Sequence, residues 1–436
     1  MTALTRDAAL ALDADDALAP LRQLFDIPDG LVYLDGNSLG VLPRATPARV
    51  AQVVQQEWGQ GLIGSWNAAG WMALPQRIGD KIAPLVGVGA GELVVADSTS
   101  VNLFKVLSAA LQLQRERDPA RTVVVSERSN FPTDLYIAES LGRLHGCMLR
   151  LVDRPEDIPA ALDGRTAVLM LTQVNYRTGR LHDMAALSAA AHGAGALTVW
   201  DLAHSAGAVP VALAADGADF AVGCGYKYLN GGPGAPAFCW ARPAHAGRAW
   251  QPLAGWHGHA APFAFEAGYQ PAPGMARYLC GTPPVLAMAA LECGVDTLLA
   301  AQSLGGMAAI RAKSLALTRL FITLVQQRCG GHGLVFASPD ADAQRGSQVC
   351  LAFDGDSDAG RAGGAFAVVQ ALIARQVVGD FRAGDAADGL PDILRFGVTP
   401  LYTRFADVWD AVEQLRQVLV SGEWREPRFN QRGVVT

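Results

Sequence analysis

The stretch Gly223-Cys224-Gly225-Tyr226-Lys227-Tyr228-Leu229-Asn230-Gly231-Gly232-Pro233-Gly234 sets one lysine among glycines, two tyrosines and a proline. The preceding Ala218-Asp219-Phe220-Ala221-Val222 reads as a short buried strand. A lysine at the end of such a strand is costly unless it is paired or deprotonated. Burial lowers its pKa, and the neutral amine is the form that attacks a carbonyl. The glycines allow a sharp turn and the close approach of a planar ligand. The alternative is a loop lysine that points at water.

Upstream, Ala196-Leu197-Thr198-Val199-Trp200-Asp201 reads as an apolar strand that delivers Asp201 at its C-terminal end. A lysine and an aspartate on neighbouring strand ends suit pyridoxal phosphate. The amine condenses with the aldehyde, and the carboxylate keeps the pyridine nitrogen protonated. The competing reading of Asp201 is a helix N-cap ahead of Leu202-Ala203-His204.

Asp201-Leu202-Ala203-His204, taken with Tyr226-Lys227-Tyr228-Leu229-Asn230-Gly231-Gly232-Pro233-Gly234, resembles kynureninase. That family belongs to the aspartate-aminotransferase fold group of pyridoxal-phosphate enzymes, and the resemblance runs from Tyr33 to about Tyr402. It implies hydrolysis of L-kynurenine, or its 3-hydroxy form, to anthranilate and L-alanine in tryptophan catabolism and NAD biosynthesis. Lys227 and Tyr226 then move protons, Asp201 serves the ring nitrogen, and His204 packs beside Asp201.

Other segments position these residues. Glu92-Leu93-Val94-Val95-Ala96 is a predicted strand, followed by Asp97-Ser98-Thr99-Ser100 at the start of a helix. Small hydroxyl residues there cap the helix and also suit a phosphate, because free N–H groups and the dipole face the anion. The resemblance puts Thr99 and Ser100 on the cofactor phosphate. The strand Arg121–Ser126 exits at Asn130-Phe131-Pro132-Thr133-Asp134, with Pro132 in a first helical turn. Phe131 is either core or, by resemblance, stacked on the pyridine with Thr133 and Asp134 nearby. The strand Ala167–Thr172 ends at Thr172, a cofactor-side position in the family, and Met184–Gly193 is a crossover helix.

By the same resemblance Ser38, in Gly36-Asn37-Ser38-Leu39-Gly40, contacts substrate, although the segment could be a plain turn. Trp66 is a core residue or a wall for an aromatic substrate. Trp256 and Thr282 match cofactor contacts that the family takes from the neighbouring subunit of a homodimer; many relatives carry asparagine where Thr282 stands. Arg395, between Leu394 and Phe396, needs a partner. It is a structural salt bridge or, as in this fold group, a two-pronged ligand for the substrate carboxylate, with Arg382 as second choice.

Alternating strands and helices predict an α/β fold. The expectation is a fold type I arrangement: a large domain with a mostly parallel seven-stranded sheet flanked by helices, and a smaller α+β C-terminal domain. The boundaries are a helical segment at 1–30, a cofactor domain at 31–300 and a small domain at 301–436. Residues 3–26 read as one helix, and Arg44–Gln60 as another, amphipathic one.

The 436-residue chain is acidic, with a net charge of −6, which argues against nucleic acid as the main partner. No uninterrupted apolar run reaches the roughly 18 residues of a membrane span. The opening stretch is acidic, unlike a signal peptide, and seven cysteines without a Cys-x-x-Cys pair suit a reducing cytoplasm. His257-x-His259 lacks a third metal ligand, and Asp354–Gly360 has its glycine misplaced for a calcium loop, so no metal is expected. Two other functions remain in view. One is a relative such as an aminotransferase or a cysteine desulfurase, for which Cys329 is the one weak nucleophile. The other is a non-catalytic cofactor-binding regulator, which would want an added DNA-binding domain.

Overall fold

The computed structural model describes residues 4–353, 364–385 and 389–431. The Asp354–Gly360 segment lies outside them. The described chain gathers into two compact units, Ala45–Tyr176 with His182–Asp296, and Met1–Arg44 with Arg177–Leu181 and Thr297–Thr436.

The first of these is built on β1 (Leu93–Ala96), α1 (Thr99–Arg117), β2 (Val123–Glu127), α2 (Pro132–His145), β3 (Met148–Val152), β4 (Thr166–Thr172), α3 (Met184–Gly193), β5 (Leu197–Asp201), β6 (Phe220–Gly223) and β7 (Ala237–Ala241). The seven strands form one sheet in the order β1-β7-β6-β5-β4-β2-β3. Only β7 runs against its neighbours. β1, β2, β4, β6 and β7 are buried throughout, as the near-continuous apolar runs of a sheet covered on both faces require. In register, Thr172 lies beside Asp201, and Asp201 beside Val222. The C-terminal ends of neighbouring parallel strands therefore converge, and each opens into a turn that carries polar residues.

The second unit holds α4 (Gly306–Arg328), β8 (Leu334–Phe336), β9 (Gln348–Phe353), α5 (Gly364–Ala374), β10 (Asp380–Arg382), β11 (Ile393–Gly397) and α6 (Phe405–Ser421). Its antiparallel sheet runs β10-β11-β9-β8. Asp380 pairs directly with Arg395 across β10 and β11.

Two expectations change. Residues 3–26 are not one helix. The helix covers Arg6–Ala14, and a tight helical turn follows at Ala19–Leu24. Asp16 accepts from the Leu18 N–H at 3.0 Å, a local bond that competes with helix, and Pro20 starts the second piece. Within Arg44–Gln60, α-helix spans Thr46–Gln52 and then widens into a π-turn at Val53–Trp58. Val54 and Trp58 are exposed there instead of buried, at 39% and 56%. The helical stretch Val285–Leu304 has the length and composition of a membrane span, but its apolar run is interrupted. It carries Glu292 and Asp296, both ion-paired to Lys81, with Glu292 also paired to Arg77.

Candidate active site

Five turns at strand ends build one cavity. Thr99, Ser100, Phe131, Thr133, Asp134, Thr172, Asp201, His204, Tyr226 and Lys227 all line it, together with Tyr176 and Ala203. Each reaches it for a local reason.

After β1 the chain turns through Asp97, a non-glycine residue at φ 46°. The side chain of Asp97 is ion-paired to Lys105, whose amine is fully buried and also donates to the Tyr278 carbonyl at 2.6 Å. These bonds set the start of α1, where Ser98 caps the Val101 N–H at 3.3 Å. Thr99 and Ser100 then present hydroxyls beside the free N–H groups of the first turn. The Thr99 Oγ1 is buried without a protein partner, as expected of an oxygen built to meet an anion.

After β2, Asn130 accepts from the Phe131 N–H at 2.7 Å and donates to Ser126 at 3.1 Å. Phe131 sits just before α2, 39% exposed and edge-on to Tyr176 at 5.2 Å. One face of its ring is thus available to a flat aromatic ligand. The Thr172 hydroxyl at the end of β4 bonds Asn130 and lies 3.3 Å from Asp134 and 3.5 Å from Asp201.

Asp201 ends β5 and is 4% exposed. Its Oδ1 accepts from the Ala203 N–H at 2.8 Å, closing a turn; no helix follows, so the N-cap reading does not hold. Burial raises its pKa, an effect opposed chiefly by the nearby Lys227 charge. The carboxyl of Asp134 is held well above the usual carboxylate range, first by burial and then by the Asp201 charge.

Lys227 is 9% exposed and does not point into water. Its Nζ lies 3.0 Å from His204 Nε2, 5.8 Å from the Phe131 ring centre and 5.6 Å from that of Tyr226. The loop closes on itself through Asn230 N–H to the Lys227 carbonyl and Gly231 N–H to the Gly225 carbonyl, each at 2.9 Å. A side chain at Gly225 would meet the Pro236 carbonyl at 2.3 Å, which explains the glycine.

These features fit pyridoxal phosphate: hydroxyls and N–H groups for the phosphate, an aromatic face for the ring, an acid for its nitrogen and an amine for its aldehyde.

Five expected residues stand elsewhere. Trp66 and Trp256 do not line this cavity; they meet edge-on at 5.7 Å in an aromatic cluster with Trp71 and Phe263. Thr282 is exposed and borders a separate small recess with His257 and Asp97. Ser38 and Arg395 come together in the other unit. The Arg395 guanidinium donates to Ser38 Oγ at 2.8 Å and is ion-paired to Asp380, which also binds Arg382 at 2.7 Å. The salt-bridge reading of Arg395 thus has its partner. Tyr176 and Asn130 were not singled out from the sequence. The signal that could have found them is their place at the exits of β4 and β2.

Cys329 is a poor nucleophile, only 2% exposed, with burial pushing its thiol up to about 11. Among the described residues, no group of three His, Cys, Asp or Glu side chains is placed to hold a metal.

Comparison with known proteins bears on the fold and the family. The class-V aminotransferase family model matches residues 33–359, and the kynureninase C-terminal domain model matches residues 310–415. A kynureninase of Burkholderia pseudomallei (strain 1106a) is 55% identical over 434 residues, 99% of this chain and 100% of that protein. One from Pseudomonas fluorescens is 54% identical over the same share of each. A cysteine desulfurase of Thermococcus onnurineus superposes with a TM-score of 0.75 at 16% identity, covering 92% of this chain and 98% of its own. One from Escherichia coli gives 0.74 at 19% identity, covering 93% and 98%. The desulfurases share the fold type I architecture alone. Identity above one half along the whole length of both chains is of another order, and it places this chain in the kynureninase family.

Proposed function

We propose that this chain is a pyridoxal-phosphate-dependent kynureninase that hydrolyses L-kynurenine, and its 3-hydroxy form, to the anthranilate and L-alanine. The observation that carries the reading is the convergence of Lys227, Asp201, Phe131 and the Thr99–Ser100 helix start on one cavity. Bound there, pyridoxal phosphate supplies an electron sink for charge developing beside the substrate amine.

The chain's own residues supply the rest. Thr99 and Ser100 hold the phosphate, Phe131 covers one face of the ring, and Asp201 keeps the ring nitrogen protonated. Thr133, Asp134 and Thr172 surround these groups, and His204 supports Lys227 from 3.0 Å. The Lys227 amine takes the substrate's α-proton. Water adds to the γ-carbonyl, the Cβ–Cγ bond breaks with its electron pair left on Cβ and the carbonyl carbon released as the carboxyl of anthranilate, and a proton taken up at Cβ completes L-alanine. Tyr226, beside Lys227, relays a proton at this carbonyl. Arg395 holds the α-carboxylate, a planar acceptor that matches its fork, with Ser38 beside it.

Trp256 and Thr282 serve the cavity of a second copy, in a homodimer. Two features of the Lys227 unit support this. Val54, Trp58, Leu62 and Ile63 are exposed, the last at 81%. A recess of about 440 Å³ lined by Asp97, Ser98, Thr99, Tyr226 and Pro284 also shares Thr99 and Tyr226 with the cavity and stands ready for a neighbour's residues. Trp66, edge-on to Trp256 at 5.7 Å, goes with it to the neighbour's cavity and borders the aryl group of the substrate there. The cysteine pattern fits the cytoplasm.

The test is to give the holoenzyme kynurenine and 3-hydroxykynurenine and follow the fluorescence of the anthranilate formed. No product from either, from protein with cofactor on Lys227, overturns the reading. Light scattering of the dilute holoenzyme tests the dimer; a fully active monomer refutes it.

A further inference from the structure

Three oxygens converge on the Thr172 hydroxyl: Asn130 Oδ1, Asp134 Oδ2 at 3.3 Å and Asp201 Oδ2 at 3.5 Å. A hydroxyl carries one proton and can satisfy one acceptor. The orientation of Asn130 is not adjustable. Its Oδ1 accepts from the Phe131 N–H and its Nδ2 donates to Ser126, so it turns an oxygen, not an amide N–H, toward Thr172. With both acids ionised, two of the three contacts would set lone pair against lone pair, in a place where Asp134 and Asp201 are 2% and 4% exposed.

We propose that Asp134 is a positioning residue that works as a neutral carboxylic acid, its hydroxyl bonded to the Asp201 carboxylate, so that the pair presents a single negative charge to the ring nitrogen of the cofactor. One proton on Asp134 removes one of the two anions and adds a second donor to a group that otherwise has only the Thr172 hydroxyl. Asp201 then has the Ala203 N–H on one oxygen and the Asp134 O–H on the other, which fixes its plane. It also spreads its charge, so the ring proton is held without a second buried anion.

The charged surroundings agree. Asp134 faces Asp201 from β5 and Lys227 from the loop after β6, and Lys227 is itself in contact with His204. One cation serves two acids. The start of α2 favours an anion at Asp134, but this effect is confined to the first turn and is modest. Burial and the Asp201 charge act the other way and raise its pKa well above the ordinary value.

The inference rests on pyridoxal phosphate binding at Lys227, and the experiment separates the two. Infrared spectra of the apoenzyme at neutral pH are compared between wild type and Asp134→Asn. The difference should contain the stretching band of a protonated carboxyl, and taking the difference removes other acids such as Asp35. No such band overturns the proposal, whatever the cofactor does. Cofactor affinity is then measured for Asp134→Asn, a neutral donor, and Asp134→Leu, neutral without a donor. The leucine variant should bind at least about tenfold more weakly than the asparagine one. Equal losses in both would show that Asp134 acts through charge, and would overturn it. Borohydride trapping of pyridoxyl on Lys227 in wild type reports on the cofactor reading alone.

Discussion

Lys227 and Arg395 are both buried cations, 9% and 1% exposed, yet their surroundings differ in kind. The Lys227 amine meets an imidazole at 3.0 Å, with aromatic rings on two sides, at the edge of an open cavity. Arg395 lies inside a four-stranded sheet, ion-paired to the residue directly across the strand, Asp380, whose carboxylate it shares with Arg382. A lysine that must give up its proton is served by a direct contact with an imidazole, while the carboxyls of Asp201 and Asp134 act on it as nearby charges. An arginine never loses its charge, so its partner must be permanent. Two guanidiniums gathered on one carboxylate bring two planar sets of donors to one place. The first arrangement suits proton transfer, and the second suits binding.

Breaking the first region should have the largest effect. Lys227→Ala removes the amine that takes the α-proton, and turnover should fall by at least about 10²–10⁴-fold, the usual span for a positioned acid–base group. Single-turnover assays with reconstituted protein check this. Substantial turnover would place the base elsewhere and remove the contrast with Arg395.

In the second region, Arg395→Gln should lower kcat/KM by about a hundredfold, close to 3 kcal/mol of recognition, while cofactor absorption stays. Arg382→Gln should cost less, about tenfold or under, since its own ion pair with Asp380 is at the strand edge and one-third exposed. If Arg395→Gln unfolds the protein, the arginine is structural alone. If Arg382→Gln does the greater harm, the two have exchanged roles.

The smallest effect concerns Asp35, near the same ion pairs. Burial and the Asp380 charge raise its carboxyl from 3.8 to about 7. The folded state therefore binds a proton that the unfolded chain has released. The contribution of Asp35 to stability is greatest below pH about 4, declines as pH rises toward 7 and is flat above. Asp35→Asn should remove this decline and stabilise the protein above pH 7 by about 1–3 kcal/mol. Urea melts of both proteins at several pH values measure it. An unchanged pH slope would mean that Asp35 stays ionised and that Arg395 and Arg382 are more fully compensated.

The sequence by itself determined the strand ends of the Lys227 unit, and with them most of the cavity. β2, β4, β5 and β6 are short apolar runs closed by polar turns, and such runs can be read locally because burial on both faces leaves no alternation to interpret. The crossover helix Met184–Gly193 falls where the sequence put it. The helix expected over residues 3–26 was less legible, because local side-chain bonds at Asp16 compete with helix propensity and composition alone does not weigh them.

What only the tertiary structure decided lies in pairings between distant residues. Nothing near Arg395 in the chain announces Asp380 or Ser38 as its partners; strand register brings Asp380 across and places Ser38 within 2.8 Å. Likewise Asn130, Asp134, Thr172 and Asp201 come from three strand exits, and only their meeting creates a shortage of protons around one hydroxyl. Hydrogen-bond supply and buried charge depend on distances of a few ångström between chain-distant atoms, and these are set by how strands are ordered, not by which residues follow one another.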